Sequence, residues 1–377
     1  MKAPAPIRWV EQRPKSALHD ERLAALVGIG LGVAFLLCFA TGVLSHLIQA
    51  PPSWFTWPAR PAGTYRVTQG IHTITGFVSI PLLLAKLWIV YPKLFEWPPV
   101  RSAAHAFERL SLLPLIGGGL FMVMSGTFNV ARWYPWGFFF PLAHYWVAWI
   151  TIGALVVHLG AKWTIVRTTA LVRVADDRLE PDRRRFLGAV AATGGVVFLA
   201  VAGNTIWPLS RVAILAQRRP GTGPQGIPIN KSARGAGVAT AALSPTYRLV
   251  VDGKVERPLD LSLDELRALP QRSATLPIAC VEGWSSSGTW TGVSVAELLR
   301  RAGAADDATV TVESFQKGGL YRRSTINAEQ AADPDTLLAL ELNGEVLHVD
   351  HGYPVRLIGP NRPGVMQTKW VERLVVS

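Results

Sequence analysis

Cysteine is almost missing from this chain. Cys38 and Cys280 are the only two in 377 residues, and no Cys-x-x-Cys pair occurs. That excludes a disulfide framework, and equally a zinc ribbon or a dithiol redox centre. A nucleic-acid stripe is missing as well. The formal charge is +12, yet the basic residues collect in loops between apolar runs and near the C-terminus, so no nucleic-acid partner is expected. What the chain has in excess is apolar surface. It is 49% hydrophobic with 14 Trp, and its mean hydropathy is +0.25. Five long apolar runs fill the first 207 residues. The rest reads as a soluble domain of short alternating elements. A membrane protein with a soluble C-terminal domain follows.

The runs cover 23–49, 67–91, about 110–130, 142–166 and 186–208. Each is long enough to cross a hydrocarbon core of about 30 Å at about 1.5 Å per residue. Lys2, Arg8, Arg13, Lys15 and Arg22 precede the first run. Lys93, Arg101 and Arg109 lie in the second loop, and Lys162, Arg167, Arg173, Arg178 and Arg183–Arg185 in the fourth. The first and third loops carry only Arg60, Arg66 and Arg132. The positive-inside bias puts the N-terminus in the cytoplasm and the C-terminal domain outside, as in a multi-pass protein of the bacterial inner membrane. Asp182-Arg-Arg-Arg-Phe-Leu-Gly188 resembles a twin-arginine export signal, which moves folded, cofactor-loaded domains. No small-residue cleavage site of the Ala-x-Ala kind stands out after Gly203, so the fifth run is expected to stay as an anchor.

Three of the eight histidines, His72, His144 and His158, sit well inside the runs, and His46 lies at the outer end of the first. Imidazole is costly in lipid and marks function. His144 and His158 are fourteen residues apart, so they share one helix face about 21 Å apart along the axis. The four-helix stretch resembles the b-type cytochrome subunits of membrane formate dehydrogenases and hydrogenases, where two stacked haems have that spacing. The resemblance implies a haem b held between His72 and His144 near the outer face. It also implies a possible second, inner haem on His158, whose partner could be His19 or His105. His46 could replace His72 or bond a haem propionate.

In the soluble part, a strand at 247–252, a helix at 263–268 ended by Pro270, a strand at 274–279 and a helix at 294–302 are expected, with further strands at 309–313, 345–348 and 353–358. The 274–279 strand delivers Cys280 to a loop. Cys280-Val-Glu-Gly-Trp-Ser285, followed by Trp290-Thr-Gly-Val293, resembles the molybdenum-ligand loop of the sulfite oxidase family, closest to the periplasmic protein-methionine-sulfoxide reductase branch. In that family the cysteine thiolate binds the metal, a soft ligand on a soft ion. Glu282 matches an acidic residue near the metal in the same branch. Asp350-His-Gly-Tyr-Pro-Val-Arg356, with Gln367-Thr-Lys-Trp370 beginning eleven residues after Arg356, matches the family's pterin-binding pair of segments. The resemblance therefore implies that His351, Arg356, Gln367, Thr368 and Lys369 hold the pterin and its phosphate. A guanidinium fork, an ammonium and backbone N–H groups suit a dianionic phosphate. Asn230, in Gly226-Ile-Pro-Ile-Asn-Lys231, matches the segment that lies along the pterin.

Two departures bear on function. The arginine-bearing segment that sulfite oxidases place well before their cysteine has no evident counterpart, so sulfite is not the expected substrate. No dimerisation domain follows Lys-Trp, and a monomer is expected. The sequence thus reads as a cytoplasmic tail (1–22), a four-helix b-type cytochrome domain (23–168), a basic loop with the twin-arginine-like signal and a fifth helix (169–208), a linker touching the pterin (209–242) and an α+β molybdopterin domain of sulfite-oxidase type (243–377). The expected cofactors are Mo-molybdopterin and haem b. The expected partners are membrane lipid, the quinone pool and an oxidised small-molecule or protein-bound substrate. The alternative is a haem-b electron-transfer protein whose soluble domain is a metal-free binding module; bound molybdenum separates the two.

Overall fold

The computed structural model describes residue 16 and residues 18–171, 181–215 and 218–377. Lys2, Arg8, Arg13, Lys15, Arg173 and Arg178, on which part of the orientation argument rests, lie outside them. Contacts divide the chain into two compact units: residues up to Val43 with Ile71–Ala202, and Leu44–Gly70 with Gly203–Ser377.

The first unit is helical. Its helices are drawn from α1 (Glu21–Gln49), α2 (Thr64–Leu94), α3 (Ala103–Ala131), α4 (Phe140–Ile165) and α5 (Pro181–Ala202). All five contain stretches long and apolar enough to cross a membrane. The expected runs fall on these helices, except that the fifth ends at Ala202. Beyond it the chain bends at Gly203, where an added Cβ would lie 2.2 Å from the Leu209 carbonyl oxygen. The bend allows only glycine. α3 and α4 approach closely at Gly118, whose missing Cβ would sit 2.2 Å from the Thr151 hydroxyl. Small residues permit such approach between apolar helices.

The second unit is α+β. Its strands are β1 (Arg248–Gly253), β2 (Leu259–Ser262), β3 (Gln271–Ala279), β4 (Ser285–Ser294), β5 (Val310–Ser314), β6 (Arg323–Ile326), β7 (Leu337–Leu342), β8 (Glu345–Val346), β9 (Arg356–Ile358) and β10 (Val371–Val376). One sheet runs β2-β1-β10-β5-β6, and the other β3-β4-β7-β8 with β9 also on β7. Helices α6 (Leu263–Ala268), α7 (Val295–Ala302) and α8 (Ala328–Ala332) lie between strands. α6 begins on a capping box: the Ser262 hydroxyl accepts from the Glu265 N–H, and the Glu265 carboxylate accepts from the Ser262 N–H. α7 buries Val295, Leu298, Leu299 and Ala302 in a core with Leu249, Val251, Val310, Val312 and Leu374. A second core gathers Trp290, Leu276, Ile278, Leu337, Ala339 and Ile358 beneath Cys280. The strand expected at 353–358 begins only at Arg356, because Pro354 lacks a ladder donor and the chain turns at Gly352.

This unit also takes in the connection between α1 and α2. The Trp57 indole donates to the Asn361 carbonyl at 2.8 Å, and Arg60 forks onto Asp333 at 2.8 and 3.0 Å. Along the chain this segment reads as a short loop between two spans. In space it is part of the α+β unit.

Candidate active site

Cys280 sits at the tip of a hairpin. β3 and β4 pair as far as Ala279 and Ser285, leaving Cys280–Trp284 as the connecting loop. The Cys280 N–H donates to the Trp284 carbonyl at 2.9 Å, and the Gly283 N–H to the Cys280 carbonyl at 3.0 Å. Gly283 makes this tight turn at φ 92°, a region that favours glycine. The thiol is 1% exposed. Burial pushes its pKa well up and the Glu282 carboxylate adds to that, while the Glu282 N–H, Arg218 and Lys369 pull it down.

The other motif residues converge on the same place. The Leu357 N–H donates to the Thr368 carbonyl at 2.8 Å and the Val371 N–H to the Val355 carbonyl at 2.9 Å, so the segments bearing Arg356 and Lys369 run side by side. Gly352 lets them meet. Its φ is 117°, and a Cβ there would lie 3.1 Å from the Cβ atoms of both Arg356 and Lys369. Pro363 bridges to Ala279, tying the loop between the two segments to the base of the Cys280 hairpin.

Arg356 is 3% exposed. Its guanidinium lies 5.4 Å from the Trp290 ring centre, and Nη1 donates to the His351 carbonyl at 3.0 Å. Its Nε is buried without a partner. Burial pushes its pKa down to about 9. The Lys369 ammonium donates to the carbonyls of Lys231 at 2.9 Å and Asp350 at 2.7 Å. Burial, then the charge of Arg356, hold its pKa well below the usual range, against the pull of Asp350 and Cys280. His351 is buried with Nε2 2.8 Å from the Pro224 carbonyl, so Nε2 carries the proton. Burial, then Arg356, push its pKa down to about 4.

Three expected residues do other work in this structure. The Gln367 side chain is taken up by both backbone groups of Gly359 at 2.8 and 3.0 Å. The Thr368 hydroxyl bonds Ser324 at 2.7 Å. Glu282 forms an ion pair with Arg218 and accepts from the Trp284 indole at 3.2 Å. Asn230 lies half-buried between Ile229, whose carbonyl accepts from Arg218, and Lys231, whose carbonyl accepts from Lys369.

The chemistry of the arrangement is that of an anion cradle. Burying a guanidinium and an ammonium together costs on the order of several kcal/mol unless opposite charge is supplied. Asp350 opposes Lys369, and for Arg356 burial alone accounts for the shift. Among the described residues no three His, Cys, Asp or Glu side chains converge on a metal position. A metal at Cys280 would therefore draw its other ligands from the group the cations bind. A phosphate-bearing organic metal cofactor fits both conditions.

Residues 236–377 match the family model of the oxidoreductase molybdopterin binding domain. The C-terminal part of this chain is a molybdopterin-binding oxidoreductase domain. Among curated relatives, the putative protein-methionine-sulfoxide reductase subunit YedZ1 of Azospira oryzae is 36% identical over 132 residues, 35% of this chain and 49% of that one. Mitochondrial sulfite oxidase of Drosophila melanogaster is 32% identical over 157 residues, 35% of this chain and 27% of that one. The NADH nitrate reductase of Lotus japonicus is 34% identical over 161 residues, 35% and 18% of the two chains. The chain thus spans about half or less of the length of these relatives.

Two further arginines stand out in this unit: Arg218, and Arg362, which lies with Asn361 between the two family motifs and reads from the sequence as a pocket residue only. Arg218, seen along the chain only as a basic residue on the outer side, reaches the cysteine loop through Glu282. Arg362 is 3% exposed and donates to Thr325, Gln330 and Met366. Its Nε is buried and unpartnered, and burial pushes its pKa down to about 9. Its place between the two family motifs was the only available signal. For Arg218 there was none, since its partner lies 64 residues away.

The helical unit holds a second candidate site. The His72 and His144 ring centres are 6.3 Å apart. His72 Nδ1 lies 2.9 Å from the Cys38 carbonyl, and His144 Nδ1 lies 2.8 Å from the Ser125 hydroxyl. Both Nε2 atoms are left for another ligand. Two metal–nitrogen bonds of about 2 Å, with roughly 1 Å more from each nitrogen to its ring centre, span about 6 Å. One metal ion fits that interval. His158 Nδ1 is buried and unpartnered among the described residues. His19 Nδ1 is 3.0 Å from the Ile89 carbonyl, the same kind of contact as at His72, whereas both ring nitrogens of His105 are engaged, Nδ1 by the Arg101 N–H at 3.2 Å and Nε2 by Arg109 Nε at 3.4 Å.

Proposed function

We propose that this protein is a membrane-anchored molybdopterin oxidoreductase that transfers an oxygen atom at an outer-face site and exchanges electrons with the quinone pool through haem b. The observation that carries the reading is the cation cradle of buried Arg356 and His351 with half-buried Lys369, whose charge acts on Cys280. Arg356 and Lys369 would hold the cofactor's phosphate, Cys280 would ligate its metal, and His351, neutral with its Nε2 proton on the Pro224 carbonyl, would present Nδ1 as an acceptor without adding charge. When bound, the cofactor supplies two-electron redox chemistry and an oxygen-atom acceptor or donor. Burial of the loop excludes bulk water from the sulfur, and Glu282, held by Arg218 and Trp284, fixes the loop's outer side. The relatives are a methionine-sulfoxide reductase subunit, a sulfite oxidase and a nitrate reductase, and each of these reactions is the gain or loss of one oxygen atom.

The five apolar helices support membrane anchoring. The His72–His144 spacing, with each Nδ1 held by a backbone carbonyl or a hydroxyl, supports an axial pair for haem b. His158 would serve a second, inner haem. The test separates the two redox centres. His144→Ala should remove b-type absorbance and stop quinol-dependent turnover, while an artificial dye reacting at the outer site is still turned over. Unchanged absorbance and quinol coupling in that variant would refute the relay.

A further inference from the structure

The connection between α1 and α2 brings a polar network to the underside of the cysteine loop. The Tyr321 hydroxyl donates to Gln49 Oε1 at 2.9 Å, and Gln49 Nε2 donates to Ser45 Oγ at 3.0 Å. Ser45 Oγ lies 3.1 Å from the Tyr65 hydroxyl, which donates to Gln69 Oε1 at 3.4 Å. Gln69 Nε2 then donates to the Val281 carbonyl at 3.2 Å, one residue past Cys280. Tyr65 is 1% exposed and Gln69 6% exposed, so the Tyr65–Gln69 end of this network is interior, while its Tyr321 end is exposed. Tyr65 also packs with Ile48 against Ala279, the last residue before Cys280. Its N–H donates to Asn361 Oδ1 at 2.7 Å, and Asn361 in turn receives the Trp57 indole and donates to the Pro58 carbonyl at 2.8 Å. Further out, Arg66 donates to the Thr205 carbonyl, and Thr205 Oγ1 to the Gly283 carbonyl at 3.3 Å. The cysteine loop is thus held from the α1–α2 side at Ala279, Val281 and Gly283.

We infer that the facing ends of α1 and α2 are part of the cysteine site, with Gln69, in the second turn of α2, as the positioning residue that sets the Cys280 loop. The carbonyl of half-buried Val281 takes its donor from Gln69, three residues before His72 in the sequence. The segment between two apolar spans therefore carries an interior role that its sequence position does not announce. As regards the metal, this rests on the function proposed above; the loop geometry itself stands without it.

The experiment uses the full chain, made in a host without molybdopterin and purified in detergent. Alkylation of Cys280 is followed by mass spectrometry of its peptide, together with amide exchange of the 280–284 loop. In Gln69→Met, which keeps length but removes the donor, labelling and loop exchange should rise roughly five-fold, as expected for loss of one buried hydrogen bond. Exchange in β1 and β10 should stay at the parent level. Tyr65→Phe, which loosens Gln69 without removing its donor, should shift the same amides by less. Once loaded with cofactor, Gln69→Met should also change the paramagnetic resonance of the metal centre, a signature that a merely structural contact would not move. Parent-like labelling and exchange in Gln69→Met overturns the inference. So does a rise that extends equally into β1 and β10, which would mark general destabilisation. A parent protein that takes up no molybdenum would instead overturn the proposed function, leaving the loop result readable.

Discussion

A thiol as buried as Cys280, with its pKa pushed up by burial and by Glu282, stays protonated on its own. It becomes a thiolate only against a strong cation, which a metal supplies and a solvent-poor core does not. On the proposed function, Cys280→Ser should therefore abolish turnover at the cysteine site and leave the proposed b-type absorbance intact, measured on purified protein with dye and quinol assays. His351 gives a pH signature. Its pKa is pushed down to about 4 in the fold against an ordinary value of 6.5. Between those values the unfolded chain binds the proton and the folded one does not. The contribution of His351 is therefore fully present above pH 6.5 and is lost as pH falls toward 4. Denaturant unfolding of cofactor-free protein across that range should show the loss, and His351→Gln should flatten it. Most of these residues were legible because the motifs are short and local, with Cys280, His351, Arg356 and Lys369 at family spacings. Gln367 and Thr368 were legible by position but not by role, since their side chains turn to Gly359 and Ser324.

Elements were readable where local chemistry agrees with the fold. The α6 helix is announced by Ser262 and Glu265 and closed by Pro270. Ser262→Ala should cost about 1 kcal/mol of local stability, seen as faster amide exchange in α6. β7 was not readable. Leu-Leu-Ala-Leu-Glu-Leu favours helix by propensity, and it becomes a strand because β4 lies on one side and β8 and β9 on the other. The largest gap was the α1–α2 connection. Its bonds reach residues more than 200 positions away, and no periodicity within a short polar loop reports such contacts.

At the scale of the whole molecule, the chain joins five apolar helices to a molybdopterin-binding oxidoreductase domain. Arg183 and Arg184 open α5, where Arg183 pairs with Asp20 at 3.6 Å. If the pair is also read as an export signal, changing both to Lys keeps the charge that orients helices but loses the guanidinium pair. Protease added to spheroplasts should then spare the C-terminal domain in the variant and digest it in the parent. The most direct test of the central claim is the molybdenum content of the purified full chain, compared with that of Arg356→Ala. The account predicts stoichiometric molybdenum with pterin in the parent and a large loss in the variant, because the buried guanidinium, over the Trp290 ring of the core that also holds Cys280, keeps an unpartnered Nε for an anion. A parent chain free of molybdenum, or a variant that binds it as well as the parent, would contradict it.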